Sequence, residues 1–404
     1  MTTAVQQITP PALDSGELQS IIDEIAADAK QRREGEDAPP FAAIELIRKH
    51  RLGAVRLPKD EGGAGYSLHD LFTLLIRLAE ADPDVPHIIR VHLGFVEERR
   101  RTPNRDSGQF WLDKVRDGLL IGGASSELSS RAVGVYTYDS TLTVDGDGYR
   151  LNGTKFYSTG SLFSDYIRVS ANDEDGKQIS AVVPTHREGV VHVDDWDGIG
   201  QRHTGSGTTE FENVRVEKSE LLPFQWSEHT VRPRQAFPQL LLHAVAAGIL
   251  RSVVTDASNL VRGRARSYTF ATAEEPRHDP QLLQIIGSIS ATAYAVEAVV
   301  LTAARAQDIA SDAALATGQP DEQLEHDAAL AAAKAKISVE GLALTAATDV
   351  FAVGGASATR QSAHLDRHWR NLRTLFSHNP TVYKARTVGD FVVNDTALPS
   401  VGFF

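Results

Sequence analysis

Leu71, Leu74, Leu75 and Leu78 fall at i, i+3, i+4 and i+7, a spacing that stacks four leucines on one face of an α-helix. Ser67 and Asp70 stand where an N-cap and a first-turn acid belong, and Asp82-Pro83 ends the run, because the residue before a proline is steered out of the helical region. The same texture runs through residues 1–118, which predicts an N-terminal α-helical domain. Between 119 and 225 the pattern shortens to alternating β-branched and aromatic positions, in "TLTVDGDGYRLNG", "YIRVSANDEDGKQISAVVP" and "TTEFENVRV". Asp147-Gly148 and Asp175-Gly176 are placed to supply the positive φ of tight hairpins, so a middle β domain is expected. From 226 to 404 the chain turns rich in Ala and Leu. Three long stretches near 236–268, 278–317 and 321–352 are separated by polar or Gly/Pro breaks. High helix propensity there predicts long packed helices, and the order of the chain is α, β, α.

Composition narrows the class. With 404 residues the chain has room for two or three domains of about 100 to 200 residues. Its 42% hydrophobic and 23% charged residues match a globular protein rather than a disordered one. A formal charge of −12 speaks against a nucleic-acid partner, which would draw on clustered Lys and Arg. The run Arg99–Arg101 reads as a solvated helix end. The absence of cysteine excludes disulfides, thiolate catalysis and Cys-ligated zinc, and fits a cytoplasmic location. The N-terminal twenty residues have no basic and apolar signal pattern, and no uninterrupted run of about 18 apolar residues occurs, so neither export nor a membrane span is expected.

Candidate chemistry is sparse. GxGxxG, GxxxxGK[ST] and GxSxG are all missing, which removes the dinucleotide, P-loop and hydrolase-elbow readings. His364 and His368 are four apart on an expected helix and could share a metal, but an acidic third ligand is lacking and no metal site is assigned. His87 and His92, five apart, do not share a helical face, so at least one is expected to pack structurally. "GQRHTGSGTTEF" is either an anion-binding loop or a plain strand connection. Arg262, Arg264 and Arg266 either complement a helix dipole or hold a phosphate. His378, in "HWRNLRTLFSHNP", lies between a helix and the helix-breaking Pro380, where composition offers only a capping or solvent role.

Four segments carry a resemblance: "LPKDEGGAGYS", "GGASSELSS", "NGTKFYSTG" and "GIGQRHTGSGTTEFENVRV". Together with the α, β, α order they resemble the acyl-CoA dehydrogenase fold over nearly the whole chain. The last is the most specific, with its Gly-x-Arg-x-Thr-x-Ser-Gly-Thr-x-x-Phe pattern. Within that superfamily "DDWDGIGQRHTGSGTTEF" and "HWRNLRTLFSHNPTVYK" are similar to two-component flavin-dependent monooxygenases of the dibenzothiophene monooxygenase type. The resemblance implies an α+β fold with an N-terminal helical domain (1–118), a middle β-barrel or sandwich domain (119–225) and a C-terminal four-helix bundle (226–404). It implies reduced FMN, rather than FAD, delivered by a separate NAD(P)H:flavin reductase. With O2 that flavin would form a C4a-hydroperoxyflavin and oxygenate a small sulfur-containing or aromatic, heterocyclic substrate, in a cytoplasmic homotetramer. The alternative is an FAD-dependent acyl-CoA dehydrogenase. Members of that kind with their base in this region carry Glu-Gly-Thr after an Arg-Asp pair, whereas here Arg370-Asn371 is followed by His378-Asn379-Pro380. A histidine titrating near neutral pH suits donation to a flavin peroxide instead of α-proton removal.

Residue by residue, the resemblance makes His378 and His87 catalytic and leaves His92 structural. Thr159 of "KFYSTG" would face flavin N5, Ser126 of "ASSE" the pyrimidine edge, and Trp196 the ring. Arg266 of "RARSY" would reach the flavin phosphate of a neighbouring subunit. The chain departs from the pattern at three points: Gly123 replaces an asparagine near the flavin, Val91 a pocket tyrosine and Leu375 a second histidine. Arg90 is an additional charge beside the pocket. It would pair with an acidic substrate or point to solvent, the latter being preferred.

Overall fold

The computed structural model describes residues 8–35, 37–101, 105–129, 137–222 and 236–399. Among the described residues six helices come first: α1 (Gly16–Glu34), α2 (Phe41–Lys49), α3 (Leu68–Ala81), α4 (Asp84–Ile88), α5 (Arg90–Arg100) and α6 (Arg105–Arg116). In α3 the Ser67 hydroxyl accepts from the Asp70 amide, and the Asp70 carboxylate accepts from the Ser67 amide, both at 3.0 Å. This reciprocal cap satisfies two amides that the helix leaves open. Leu71, Leu74, Leu75 and Leu78 are all buried.

Eight strands follow: β1 (Ile121–Ala124), β2 (Thr141–Asp145), β3 (Gly148–Lys155), β4 (Tyr166–Asn172), β5 (Gln178–Pro184), β6 (Val190–Val193), β7 (Thr208–Val216) and β8 (Leu221–Leu222). They form one mixed sheet in the order β6-β7-β3-β2-β4-β5-β8, with β1 parallel to β4. The β4–β5 hairpin turns at Gly176 (φ 76°), as the Asp175-Gly176 signal predicts. The β2–β3 hairpin corrects the sequence reading. Asp145 pairs with Gly148, so the two-residue loop is Gly146-Asp147 and the positive φ (62°) falls on Gly146. Two tandem Asp-Gly pairs offer both registers, and the one that lets Leu142 and Leu151 face the core wins.

Five helices follow among the described residues: α7 (Ala236–Arg262), α8 (Pro280–Thr317), α9 (Glu322–Gly354), α10 (Asp366–Phe376) and α11 (Thr381–Asn394). α7, α8 and α9 pack on one another, α10 covers α7 and α9, and α11 lies along α9. The pair α10–α11, broken at His378-Asn379-Pro380, supplies the fourth layer of this bundle. One apolar core runs from Leu18 of α1 through α3 and α7 to Leu372 of α10, so the first and last helices share an interior. The sheet has its own core of Leu142, Leu151, Ile167, Val169, Val183 and Val214. Trp111 of α6, edge-on to Phe95 and Tyr166, joins helices to its back.

Two further expectations are corrected. Arg99–Arg101 is not solvated: Arg99 pairs with Glu98, Arg100 with Glu97, and Arg101 with Glu325 of α9. α5 is wedged between the sheet and the helices, and its cations must meet acids there because an unpaired charge could not be buried cheaply. His364 (φ 51°) lies outside α10, so it does not share a helical face with His368. By length and composition alone, Ala236–Arg262, Pro280–Thr317 and Glu322–Thr359 are apolar enough to cross a membrane, although charges and small polar residues interrupt each run. In α7 that apolarity serves the core: 72% of its most apolar window is buried within the chain.

Candidate active site

His87 sits on α4, and Gly160 decides what lies against it. Gly160 has a left-handed φ of 80°, and a Cβ there would fall 2.2 Å from the Ile88 carbonyl oxygen. Only glycine lets the loop carrying Thr159 rest on the turn after His87. A second close approach places the loop between β6 and β7. A Cβ on Gly200 would fall 2.3 Å from the Arg370 carbonyl, so this loop lies directly on α10.

Gln201, next in that loop, is 1% exposed and holds φ 52°. Its amide donates to Asn371 Oδ1 of α10 at 2.7 Å, and its carbonyl accepts from Trp196 Nε1 and from Thr204 Oγ1, both at 2.9 Å. Thr204 continues to Ser206 (2.7 Å) and Ser206 to Thr159 (2.8 Å). The Gln201 side chain takes His87: Oε1 lies 2.8 Å from Nδ1. An amide oxygen only accepts, so Nδ1 carries the hydrogen and Nε2 keeps a lone pair. Burial, then Arg90, push the His87 imidazole down to about 3 against the pull of Gln201, so it is neutral at physiological pH. The "GQRHTGSGTTEF" stretch is therefore a scaffold that ties α4, the Thr159 loop and α10 together.

His378 occupies the short link between α10 and α11. Lys336 of α9 donates to the Phe376 carbonyl at 3.0 Å and the Asn379 carbonyl at 2.8 Å, gripping the link on both sides of His378. Asn379 Nδ2 donates to Gln239 Oε1 of α7. The His378 ring keeps exposed surface yet is closely surrounded, as a side chain on the wall of a recess is. Burial, followed by Arg90, His87, Lys336 and Lys384, holds it well below the ordinary histidine range. This corrects the expectation of titration near neutral pH: with burial and these basic neighbours lowering it, His378, like His87, is a neutral imidazole.

His92 is structural, as expected. Nδ1 accepts from the Ile121 amide at 3.2 Å and Nε2 faces the Gly53 carbonyl at 3.1 Å, which consumes both nitrogens. Thr159 is buried within the hydroxyl network, and Trp196, partly exposed, meets Tyr157 edge-on at 6.0 Å. Ser126 is exposed and accepts from the Phe156 amide at 2.9 Å, beside the Thr159 strand end. Arg266 is exposed in the loop after α7 and has no hydrogen bond or ion pair to these residues. Gln201, Lys336, Asn371 and Gln239 escaped the sequence reading. The one available signal was that Gln201 sits inside a Gly-rich motif. His368 is bound at 2.7 Å to Asp256, which also takes Arg367 at 2.6 Å. These three line a cavity of about 190 Å³ against α1, α3 and α7, which Arg33 of α1 and Glu80 of α3 also line.

The residues around Thr159 fit a flavin. The Ser158 hydroxyl and the Gln201 Nε2 are buried without a protein partner, and the edges of an isoalloxazine offer both donors and acceptors to such groups. Trp196 provides an aromatic face.

Residues 124–214 match the acyl-CoA dehydrogenase middle-domain model, and 240–382 match the acyl-CoA dehydrogenase C-terminal-domain model. The protein named probable FMNH2-dependent monooxygenase SfnC of Pseudomonas putida is 30% identical over 404 residues, covering 98% of each chain. The chain belongs to the FMNH2-dependent monooxygenases of the acyl-CoA dehydrogenase fold. Dibenzothiophene monooxygenase of Rhodococcus erythropolis is 31% identical over 383 residues, 90% of this chain and 88% of that one. The solved structure of methanesulfinate monooxygenase MsuC from Pseudomonas fluorescens superposes with a TM-score of 0.84 at 28% identity, covering 96% and 98% of the two chains. This FMNH2-dependent monooxygenase is thus an oxidoreductase that uses FMN, and the dehydrogenase alternative is not favoured.

Proposed function

We propose that His378 and His87 form the oxygen-transfer end of the site, and that Thr159, Ser126 and Trp196 hold the flavin ring. Arg266 reaches the FMN phosphate from a neighbouring subunit. The substrate is a small sulfur-containing or aromatic, heterocyclic compound, as for the dibenzothiophene and methanesulfinate enzymes above. Reduced FMN, when bound, supplies the electrons that activate O2; one oxygen atom enters the substrate and the other leaves as water. The chain's own residues do the rest. Gln201 fixes His87 with Nε2 as acceptor, so this atom takes up a proton or hydrogen bond from the oxygen side. Lys336 and Asn379 fix the link that carries His378.

The carrying observation is the pair of neutral histidines, buried His87 and the more exposed His378, with basic groups and no carboxylate among the charges that act most strongly on them. His378→Ala is expected to keep FMN binding while diverting O2 to hydrogen peroxide, read as peroxide formed per product. Unchanged coupling would remove His378 from this role.

The reductase partner, the cytoplasmic location, the absence of membrane association and the division at 118 and 225 belong to the same reading. So does a homotetramer, which is supported by Tyr268, Phe270, Tyr294, Val382 and Val393, all more than half exposed on the loop after α7 and on α8 and α11. Light scattering should give four chains per particle.

A further inference from the structure

Several buried cations in this protein meet acids. Arg56 bonds Glu97 at 2.6 Å, Arg99 bonds Glu98 at 2.5 Å, and Lys155 bonds Glu127 at 2.5 Å. Arg90, the first residue of α5, has no such acid, and unlike Lys336, which two main-chain carbonyls hold, it has no carbonyl in its place. Among the described residues no carboxylate pairs with it and no protein acceptor bonds it, and its Nε is fully buried. Burial by itself pulls the guanidinium down to about 10, and the enclosed Nε corrects the preferred solvent reading for that part of the side chain. Part of the side chain remains accessible from the recess.

Among the described residues, the charges that act most strongly on the two histidines are basic. Arg90 acts electrostatically on both His87 and His378, and Lys336 and Lys384 act on His378 as well. The acid that acts on Lys336, Glu340, is engaged by Arg373 at 2.9 Å and by the Thr381 hydroxyl. Beside Arg90 the wall is small and apolar: Val91 lies against Gly123, where an added Cβ would come within 2.7 Å of Val91 Cγ1. A recess with this potential, in a chain of net charge −12, selects against cations and rewards an anion. Desolvating a guanidinium without a counter-charge is costly, and a two-oxygen anion matches its fork of donors bidentately.

We propose that Arg90 binds an anionic group of the substrate, so that the compound oxygenated between His87 and His378 is a small organic sulfinate, sulfonate or carboxylate. This rests on the reading of that recess as the substrate side. Arg90 is then the specificity residue, and Val91 with Gly123 sets how little bulk the anion can carry next to it.

The test is equilibrium binding to FMN-loaded protein, which needs no turnover. Benzenesulfinate and benzoate are compared with neutral methyl phenyl sulfone and methyl benzoate by calorimetry, in wild type, Arg90→Gln and Arg90→Lys. The anions should bind at least about tenfold more tightly than the neutral pair. Arg90→Gln should erase that preference and Arg90→Lys should retain part of it, with FMN affinity and melting temperature unchanged in both. Equal affinity for neutral and anionic probes, full anion affinity in folded Arg90→Gln, or loss of FMN itself from Arg90→Gln would each overturn the proposal. Because oxygen transfer is measured separately, anion binding without oxygenation would count against the catalytic reading and leave this one standing.

Discussion

A single amide sets the state of the nearest catalytic candidate. Gln201 Oε1 holds His87 Nδ1–H, so Gln201→Leu leaves a buried donor unmet, at a cost of about 1–3 kcal/mol, and frees the ring to turn. We expect that variant to melt earlier and to make more hydrogen peroxide per product. Gln201→Glu would place a carboxylate on the same nitrogen and raise the His87 value from about 3, so the acid limb of the coupling profile should move to higher pH. A profile that stays put would show that His87 does not govern coupling. Gly123 gives a second check. An asparagine there must displace the stiff Val91 side chain, so Gly123→Asn should destabilise the protein by about 1–3 kcal/mol, and Val91→Ala should relieve it. At this scale the sequence revealed candidates only by motif: His87, His378 and Thr159 were legible, whereas Gln201 owes its role to a left-handed turn and to partners in α4 and α10. No local pattern encodes such distant partners.

Among the elements, the α10–α11 link depends on α9. Lys336 is drawn down to about 8 by burial and keeps two carbonyls bonded around His378. Lys336→Met should leave most of the helices intact but loosen the link. Amide exchange at 377–379 should speed up and coupling should fall; unaltered exchange would mean that the link is held by packing alone. The helix and strand pattern predicted most elements, since leucine spacing and alternating β-branched residues report burial of one face. It misplaced the first hairpin turn because tandem Asp-Gly pairs are equivalent until the core selects a register. It misread Arg99–Arg101 because their acids, Glu97 and Glu98 beside them and Glu325 far along the chain, become partners only when α5 is enclosed.

For the whole molecule, the histidines dictate an acid sensitivity. His87, His92, His243 and His368 are pushed to between about 3 and 4 chiefly by burial, and His378 is lowered too. Each binds its proton near its ordinary value in the unfolded chain but resists it when folded. The histidines' contribution to stability is therefore complete above about pH 6.5 and falls as pH drops, by up to about 1.4 kcal/mol per pH unit for each histidine. Glu97, Glu127 and Asp256, held at about 2 by their partners against burial, add a further loss between the ordinary carboxylate range and pH 2. Urea midpoints should decline steadily as pH falls below 6.5; a midpoint unchanged down to pH 5 would contradict the neutral histidines. The α, β, α order was readable from texture alone. The sharing of one core by the first and last helices was not, because it joins segments more than two hundred residues apart.

The most direct measurement follows the oxygen. Protein supplied with chemically reduced FMN and isotope-labelled O2 is mixed with a panel of small sulfinates, sulfones and aryl sulfides, and the products are weighed by mass spectrometry. The account predicts a product carrying one labelled oxygen atom, with little free hydrogen peroxide. Hydrogen peroxide formed in step with the reduced FMN consumed, and no labelled product from any member of the panel, would contradict it.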